Sequence, residues 1–390
     1  MPNDSSSLPR PERCSGGAGR IFESPVVERV RAAGSVWALR GGRLLLPRVF
    51  GFCRGVERAL AMLQDAVESA DRTGKRLFLL GQIIHNPWVN ERFAARGVRI
   101  LSKAELRDPA ALIRADDCAV IPAFGVAVEV ERLLRAIGCE IVDTSCGNVR
   151  RLWAWAERSA KAGRGVLIFG SAGHDETVVT KSRLAAAGGK YIVAQDSREV
   201  RRFCSMLTGE AAAESFADEF GPQATNAESM EPFESLAQVS QTTMLYDETM
   251  KVRELIRSAF ERRFGRADAE GRLLFEPTVC RATQDLQLAA VELCRSGLDL
   301  AIVVGGFGSS NTRHLYELAR QHVAAYFIES ADAIESARAL RSFDPRREQE
   351  AKVTDWLPQR RPLTIGVLAG ASSPEAVVGN VLDRLAGFLK

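Results

Sequence analysis

Gly51-Phe52-Cys53-Arg54-Gly55-Val56-Glu57-Arg58 separates an extended apolar run from a helix-like one. Two further segments repeat the arrangement. They are Asp143-Thr144-Ser145-Cys146-Gly147-Asn148 and Thr278-Val279-Cys280-Arg281-Ala282-Thr283-Gln284. The pattern predicts one strand-end cysteine in each third of the chain. Loops beyond the carboxyl ends of parallel strands share one side of an α/β sheet. Three cysteines so placed can converge on one point.

Convergent thiolates suit an iron–sulfur cluster that keeps one iron free for substrate. The competing reading is burial, because free cysteine packs as a small hydrophobe. The chain has eight cysteines and no CxxC pair, so a zinc ribbon or a thioredoxin-type motif has no support. Cys118, Cys139 and Cys294 lie in apolar or helical runs and keep the burial reading. Cys14 lies in a Ser/Gly/Pro-rich head.

Outward from these segments, apolar runs alternate with helical patterns. Strands are predicted at 43–48, 76–81, 117–122, 139–143, 165–170, 190–194, 299–304, 325–329 and 363–368. Helices are predicted at 55–71, 126–137, 148–162, 177–187, 248–263, 284–297, 312–321, 331–340 and 374–388. The alternation argues for parallel βαβ units. Residues 1–40 read as an N-terminal extension, partly disordered. Three α/β units follow: 41–145 with Cys53, 146–279 opening on Cys146, and 280–373 opening on Cys280. A C-terminal helix closes the chain at 374–390. Residues 203–250 lack Lys and Arg, and 209–234 is expected to be a mobile acidic insertion. Charged, proline-punctuated Ser342–Arg361 is expected to be a solvated loop.

The 390 residues carry 52 basic and 49 acidic side chains, a net charge of +3. That balance gives no argument for nucleic acid or a membrane surface. No apolar run approaches the ~20 residues of a membrane-spanning helix. An unpaired cysteine set suggests a reducing compartment, and the protein is expected to be cytoplasmic.

Further motifs stand at predicted strand ends. His85-Asn86-Pro87 follows Leu77–Gly81, and Gly173-His174-Asp175-Glu176-Thr177 follows Val166–Gly170. His174 beside Glu176 offers a donor next to a carboxyl group that can deliver a proton. Asp175 or Thr177 can also serve as a helix cap. Gln241-Thr242-Thr243 follows Leu236–Val239. Ser309-Ser310-Asn311-Thr312 follows Leu300–Gly305, and Ala371-Ser372-Ser373-Pro374-Glu375 follows Ile365–Gly370. Ser372-x-x-Glu375 fits a capping box, and Ser373-Pro374 fits an N-cap with proline at N1. Hydroxyl-rich helix starts also bind phosphate. Two of them with His85 and His174 make a diphosphate cradle. Gly305, Gly306 and Gly308 do not follow GxGxxG, which weakens a dinucleotide reading.

Together these blocks resemble the 4-hydroxy-3-methylbut-2-enyl diphosphate reductase family, also called LytB or IspH. The resemblance rests on Gly51-Phe52-Cys53-x-Gly55-Val56-Glu57-Arg58-Ala59, Ile84-His85-Asn86-Pro87, Pro122-Ala123-Phe124-Gly125 and His174-x-Glu176-Thr177. Gln241-Thr242-Thr243-Met244-Leu245 and Gly305-Gly306-x-x-Ser309-Ser310-Asn311-Thr312 complete it. It runs from about Phe22 to Leu389 and looks closer to the plant and cyanobacterial branch than to the enterobacterial one.

The resemblance implies an α/β fold, three related domains with parallel sheets in a trefoil-like arrangement around a central cluster. It implies one 4Fe-4S cluster with Cys53, Cys146 and Cys280 as ligands and one open iron. It maps the diphosphate onto His85, His174, Ser309, Ser310, Asn311 and Ser372, and the substrate hydroxyl and its proton supply onto Thr242 and Glu176. The implied reaction is reductive dehydroxylation of 4-hydroxy-3-methylbut-2-enyl diphosphate to isopentenyl and dimethylallyl diphosphate, the last step of the methylerythritol phosphate route. Ferredoxin or flavodoxin would supply electrons.

The alternatives are a related iron–sulfur reductase or dehydratase for another allylic or aromatic alcohol, and a non-catalytic redox-sensing cluster protein. Three positions depart from a family pattern. Phe124 stands where the enterobacterial branch has a histidine. Gly147-Asn148 replace a Pro-Trp pair, which frees the backbone beside Cys146. Arg281 adds a cation beside Cys280, expected to raise the cluster's reduction potential.

Overall fold

The computed structural model describes residues 21–212 and 216–390. The expected disordered head and Cys14 lie outside them.

Three sheets share one strand order. The first runs Arg99–Ile100, Leu77–Leu79, Cys118–Ile121, Glu140–Asp143, with every pair parallel. The second runs Tyr191–Ala194, Gly165–Phe169, Leu236–Ser240, Leu273–Phe275, again all parallel. The third runs Ala325–Ile328, Leu300–Val304, Leu363–Ala369, Gly42–Leu45, also parallel. Val36–Leu39 adds an antiparallel edge to the third. In each sheet the strand that comes first after its cysteine lies between the second and the third, so the winding reverses there. The crevice at such a reversal is where doubly wound sheets bind ligands.

The central strands are continuous apolar runs because helices cover both faces. Gly165–Phe169 and Leu300–Val304 are buried at every residue. The covering helices are amphipathic. Arg54–Thr73 buries Val56, Ala59, Leu60, Leu63, Ala66 and Val67, one stripe at helical spacing, and stops at Gly74 with φ +69°.

Several expectations need correction. Strand Gly42–Leu45, placed by sequence in the unit 41–145, pairs with Leu363–Ala369 and completes the third sheet. Gly42 allows this, because a Cβ there would overlap the Leu363 backbone. Helix Glu375–Ala386 packs on the same sheet through Val377, Val378, Val381 and Leu382. The helix expected at 331–340 is a short turn, Ala331–Ala333, followed by strands Ile334–Ser336 and Ala339–Asp344. The loop expected at Ser342–Arg361 pairs Ala339–Asp344 with Gln349–Thr354, and Trp356 and Leu357 enter the core. Gln349–Thr354 is almost wholly exposed, so it shows no alternation in sequence. The acidic segment 209–234 is anchored: Phe216 and Phe233 are fully buried, and the Thr225 hydroxyl donates to Tyr191 O at 2.6 Å. Helices Pro25–Ala32, Pro87–Ala94 and Ser197–Thr208 were not predicted.

Candidate active site

Each reversal point brings two loops together, and each pair carries site residues. In the first sheet, the loops after Leu77–Leu79 and Cys118–Ile121 carry His85 and Phe124, whose rings stack at 4.7 Å, 4° from parallel. In the second, the loops after Gly165–Phe169 and Leu236–Ser240 carry Glu176 and Thr242. Thr242 N donates to Glu176 Oε1 at 2.6 Å, and its hydroxyl donates to Oε2 at 2.6 Å. In the third, the loops after Leu300–Val304 and Leu363–Ala369 carry Ser309 and Ser372. The Ser372 hydroxyl donates to Ser309 Oγ at 3.2 Å.

The fourth strand of each sheet leads to one of the three cysteines. Glu140–Asp143 leads to Cys146, Leu273–Phe275 to Cys280 and Gly42–Leu45 to Cys53. Each cysteine is the N-cap of the helix that begins the next unit: Arg54–Thr73, Gly147–Lys161 and Arg281–Cys294. Three positive helix ends therefore face one region, which favours anionic sulfur. All three thiols are free and partly buried. Burial is the main force raising the Cys53 pKa to about 11, and the Cys280 and Cys146 thiols raise it further. Cys280 is raised chiefly by burial, with Glu176 and Cys146 adding to it against the Thr283 contacts.

Gly55 marks the centre. A Cβ there would lie 2.7 Å from Cys146 Sγ and 3.7 Å from Cys53 Sγ. Among the described residues, no three His, Cys, Asp or Glu side chains meet tightly enough to share a single metal ion. Three free thiols near enough to act on one another's ionisation, two of them against Gly55, fit a cluster of several irons. Cys118 and Cys204 have pKa values pushed by burial to about 12, and Cys294 to about 11. With buried Cys139, they belong to hydrophobic clusters.

The hydroxyl-rich loops adjoin the histidines. Gly306 and Gly308 lie against His85; a side chain at Gly306 would overlap the His85 carbonyl. Asn86 caps helix Pro87–Ala94 through Val89 N, and its amide donates to Ser372 O at 2.9 Å. His174 and His85 meet edge to face at 5.2 Å. Ser309 caps helix Ser310–Arg320, Ser310 opens it half-buried, and Asn311 Oδ1 accepts from Ala371 N at 3.0 Å. Nine buried side-chain polar atoms among the described residues lack a hydrogen-bond partner, and His85 Nε2 and Asn311 Nδ2 are two of them. Nδ2 is a donor, and Nε2 is one in the right tautomer, so an anion would satisfy both.

Capping explains less than the sequence suggested. His174, not Asp175 or Thr177, caps helix Asp175–Ala186, with Nδ1 accepting from Glu176 N at 3.2 Å. Neither Ser372 nor Ser373 caps helix Glu375–Ala386; Ser373 donates to Val304 O at 2.8 Å. Arg281 is 82% exposed and its Nε lies 3.0 Å from Asp285 Oδ1. Its charge is offset by a carboxylate at the surface. The backbone at Cys146 is held, its N donating to Ala123 O at 2.8 Å.

Sequence reasoning missed three participants. Asn86 was legible as an N-cap before proline. His314 Nδ1 lies 2.7 Å from Thr243 O and ties helix Ser310–Arg320 to the Thr242 loop. Lys103 Nζ lies 2.8 Å from Asp175 Oδ1, and nothing in its local sequence marked it.

Electrostatics divide the site. Burial chiefly, and then His85, depress the His174 pKa to about 3; burial also lowers His85. Both are neutral donors or acceptors at neutral pH. Burial raises Glu176 from the usual 4.5 to about 7, against the two Thr242 hydrogen bonds. A carboxyl group half-protonated near neutrality is suited to proton delivery.

Fold and site define an α/β protein of three like-ordered parallel sheets, with three free cysteines at helix starts and a group of histidines and hydroxyls at the sheets' reversal points. The LytB protein family model matches residues 44–386, and the chain belongs to that family. It is 32% identical over 368 residues to 4-hydroxy-3-methylbut-2-enyl diphosphate reductase of Thermosynechococcus vestitus, covering 93% of this chain and 89% of that protein. The namesake of Gloeobacter violaceus is 33% identical over 372 residues, covering 93% and 87%. Two solved structures share the fold. E-1-hydroxy-2-methyl-but-2-enyl-4-diphosphate reductase from Plasmodium falciparum aligns with TM-score 0.64 and 18% identity, over 88% of this chain and 87% of that one. (E)-4-hydroxy-3-methyl-but-2-enyl diphosphate reductase, the terminal enzyme of the non-mevalonate pathway, aligns with TM-score 0.53 and 23% identity, over 88% and 99%.

Proposed function

We propose that this chain reduces 4-hydroxy-3-methylbut-2-enyl diphosphate to isopentenyl and dimethylallyl diphosphate. Two electrons and two protons enter, the allylic carbon–oxygen bond breaks, and the hydroxyl leaves as water. The observation that carries the reading is the buried Glu176–Thr242 pair, set between a thiol triad and a cradle with two unsatisfied donors.

Cys53, Cys146 and Cys280 would hold one 4Fe-4S cluster with one open iron. Such a cluster supplies single electrons and a Lewis-acidic iron for a poor leaving group. His85, His174, Ser309, Ser310, Asn311 and Ser372 bind the diphosphate, which lies away from the reacting carbon and supplies orienting energy. With Glu176 ionised, the Thr242 hydroxyl donates to Oε2. Protonated Glu176 reverses that bond and donates to Thr242 Oγ, so Thr242 passes its own proton to the substrate hydroxyl and takes Glu176's in exchange, which lets water depart.

A one-electron carrier of the ferredoxin or flavodoxin kind fits this chemistry, because the site offers no nucleotide loop for a hydride donor. Among the described residues no helix is long and apolar enough to cross a membrane, and a cytoplasmic site of action fits the free thiols. The test is anaerobic turnover with an artificial one-electron donor. Formation of both isopentenyl and dimethylallyl diphosphate is expected. No product from cluster-loaded protein would overturn the assignment.

A further inference from the structure

The groups assembled around the cradle carry no fixed positive charge. Ser309, Ser310, Asn311 and Ser372 are neutral, and burial keeps both histidines unprotonated at neutral pH. A diphosphate brings two or three negative charges. Neutral donors orient such an anion, but charge-assisted contacts are about twice as strong.

A cation stands beside these groups. Lys103 Nζ lies 2.8 Å from Asp175 Oδ1, while Asp175 Oδ2 lies 3.8 Å from His85 Nε2. The Lys103 ammonium thus sits one carboxylate away from an imidazole nitrogen that has no hydrogen-bond partner. Its charge acts on both His85 and His174. The side chain is 81% exposed, so nothing packs against it to prevent a swing. Its attachment is firm. Leu101 is buried, and Ser102 N and Oγ both donate to Glu105 Oε2 at 2.8 Å. Glu105 in turn receives Arg99 Nη2 at 3.1 Å. A pinned turn that carries one long, flexible ammonium group suits capture of an incoming anion.

We infer that Lys103 is a diphosphate-binding residue whose ammonium moves from Asp175 to the terminal phosphate when substrate enters. The inference rests on the diphosphate reading above and extends it to a residue contributed by the first unit. Asp175 holds Lys103 beside the empty-handed donors and repels an anion that lacks a cation to meet it. Removing Lys103 therefore weakens anion binding, whereas removing Asp175 does not. If the pair served only to fasten the first unit to the second, the two losses would act alike.

The experiment measures binding of inorganic pyrophosphate to the anaerobic, cluster-loaded full chain at low and high salt. Lys103→Gln is expected to weaken binding about three- to tenfold at low salt, with a smaller factor at high salt. Lys103→Arg should restore most of it. Asp175→Asn should leave binding as tight as wild type or tighten it. Lys75→Gln is the control: it breaks a comparable exposed pair with Glu140, 2.7 Å, at the opposite end of the Leu77–Leu79 strand, and should change nothing. Unchanged binding in Lys103→Gln overturns the inference, and so does equal weakening in Lys103→Gln and Asp175→Asn. Either result leaves wild-type binding, and the diphosphate reading, intact. A wild-type chain that binds no pyrophosphate removes both.

Discussion

Glu176 is a carboxyl group sealed from solvent and held by two bonds from one threonine. Its proton is retained to about pH 7, and two consequences follow. Turnover that needs the protonated form should fall as pH rises through about 7. Glu176→Gln should lower turnover on the order of 10²–10⁴-fold while cluster content persists; a near-wild-type single-turnover rate would remove Glu176 from the chemistry. The second consequence concerns stability. Between pH 4.5 and about 7 the folded chain binds more protons than the unfolded chain, so this group's contribution is largest below pH 4.5 and is lost as pH rises through about 7. Glu176→Gln should therefore melt with a flatter pH dependence across that window. Gly55 makes a separate prediction. Gly55→Ala would press a methyl group on Cys146 Sγ, and iron content after anaerobic reconstitution should drop while a Gly271→Ala control, which meets no neighbour and has no left-handed backbone, keeps its iron.

At the scale of elements, the strands and helices that bury one regular face were legible. The three cysteines were legible as strand-end residues because a helix pattern follows each, with glycine beside Cys53 and Cys146. What sequence could not show was pairing across units. Ser309 with Ser372, Glu176 with Thr242 and His85 with Phe124 meet only because strand order reverses in each sheet. The strands at 334–354 were misread for a different reason. Their charged exposed edge hid the alternation, and their burial comes from distant contacts such as Phe327 N donating to Ser342 Oγ at 3.0 Å. The loop Gly305–Gly308 should tolerate no side chain at Gly306, which abuts the His85 carbonyl. Gly306→Ala is expected to raise the Michaelis constant for the diphosphate substrate at least tenfold, or to lower the melting temperature by several degrees; a variant unchanged in both would show that the loops do not meet as described.

Across the whole molecule, the chain repeats one plan three times: cysteine, helix, four parallel strands. The third repeat lacks its last strand within its own run and takes Gly42–Leu45 from the N-terminal side. Cys53 therefore follows the strand that closes the third sheet, and the thiol triad forms only when both ends of the chain meet. That closure was invisible to a reading that cut the chain at 41, because pairing between residues 42–45 and 363–366 leaves no local pattern. Deleting residues 1–46 should abolish cluster assembly even though all three cysteines remain. Brown, iron-loaded protein from that deletion would show that the third sheet does not hold the site. The most direct test of the account combines two readings on one set of variants purified without oxygen: iron per chain, and turnover of 4-hydroxy-3-methylbut-2-enyl diphosphate with a one-electron donor. The account predicts about four irons per wild-type chain, loss of colour and turnover in Cys53→Ser, Cys146→Ser and Cys280→Ser, and retention of both in Cys118→Ser and Cys294→Ser. Retained iron and turnover in Cys146→Ser would contradict it.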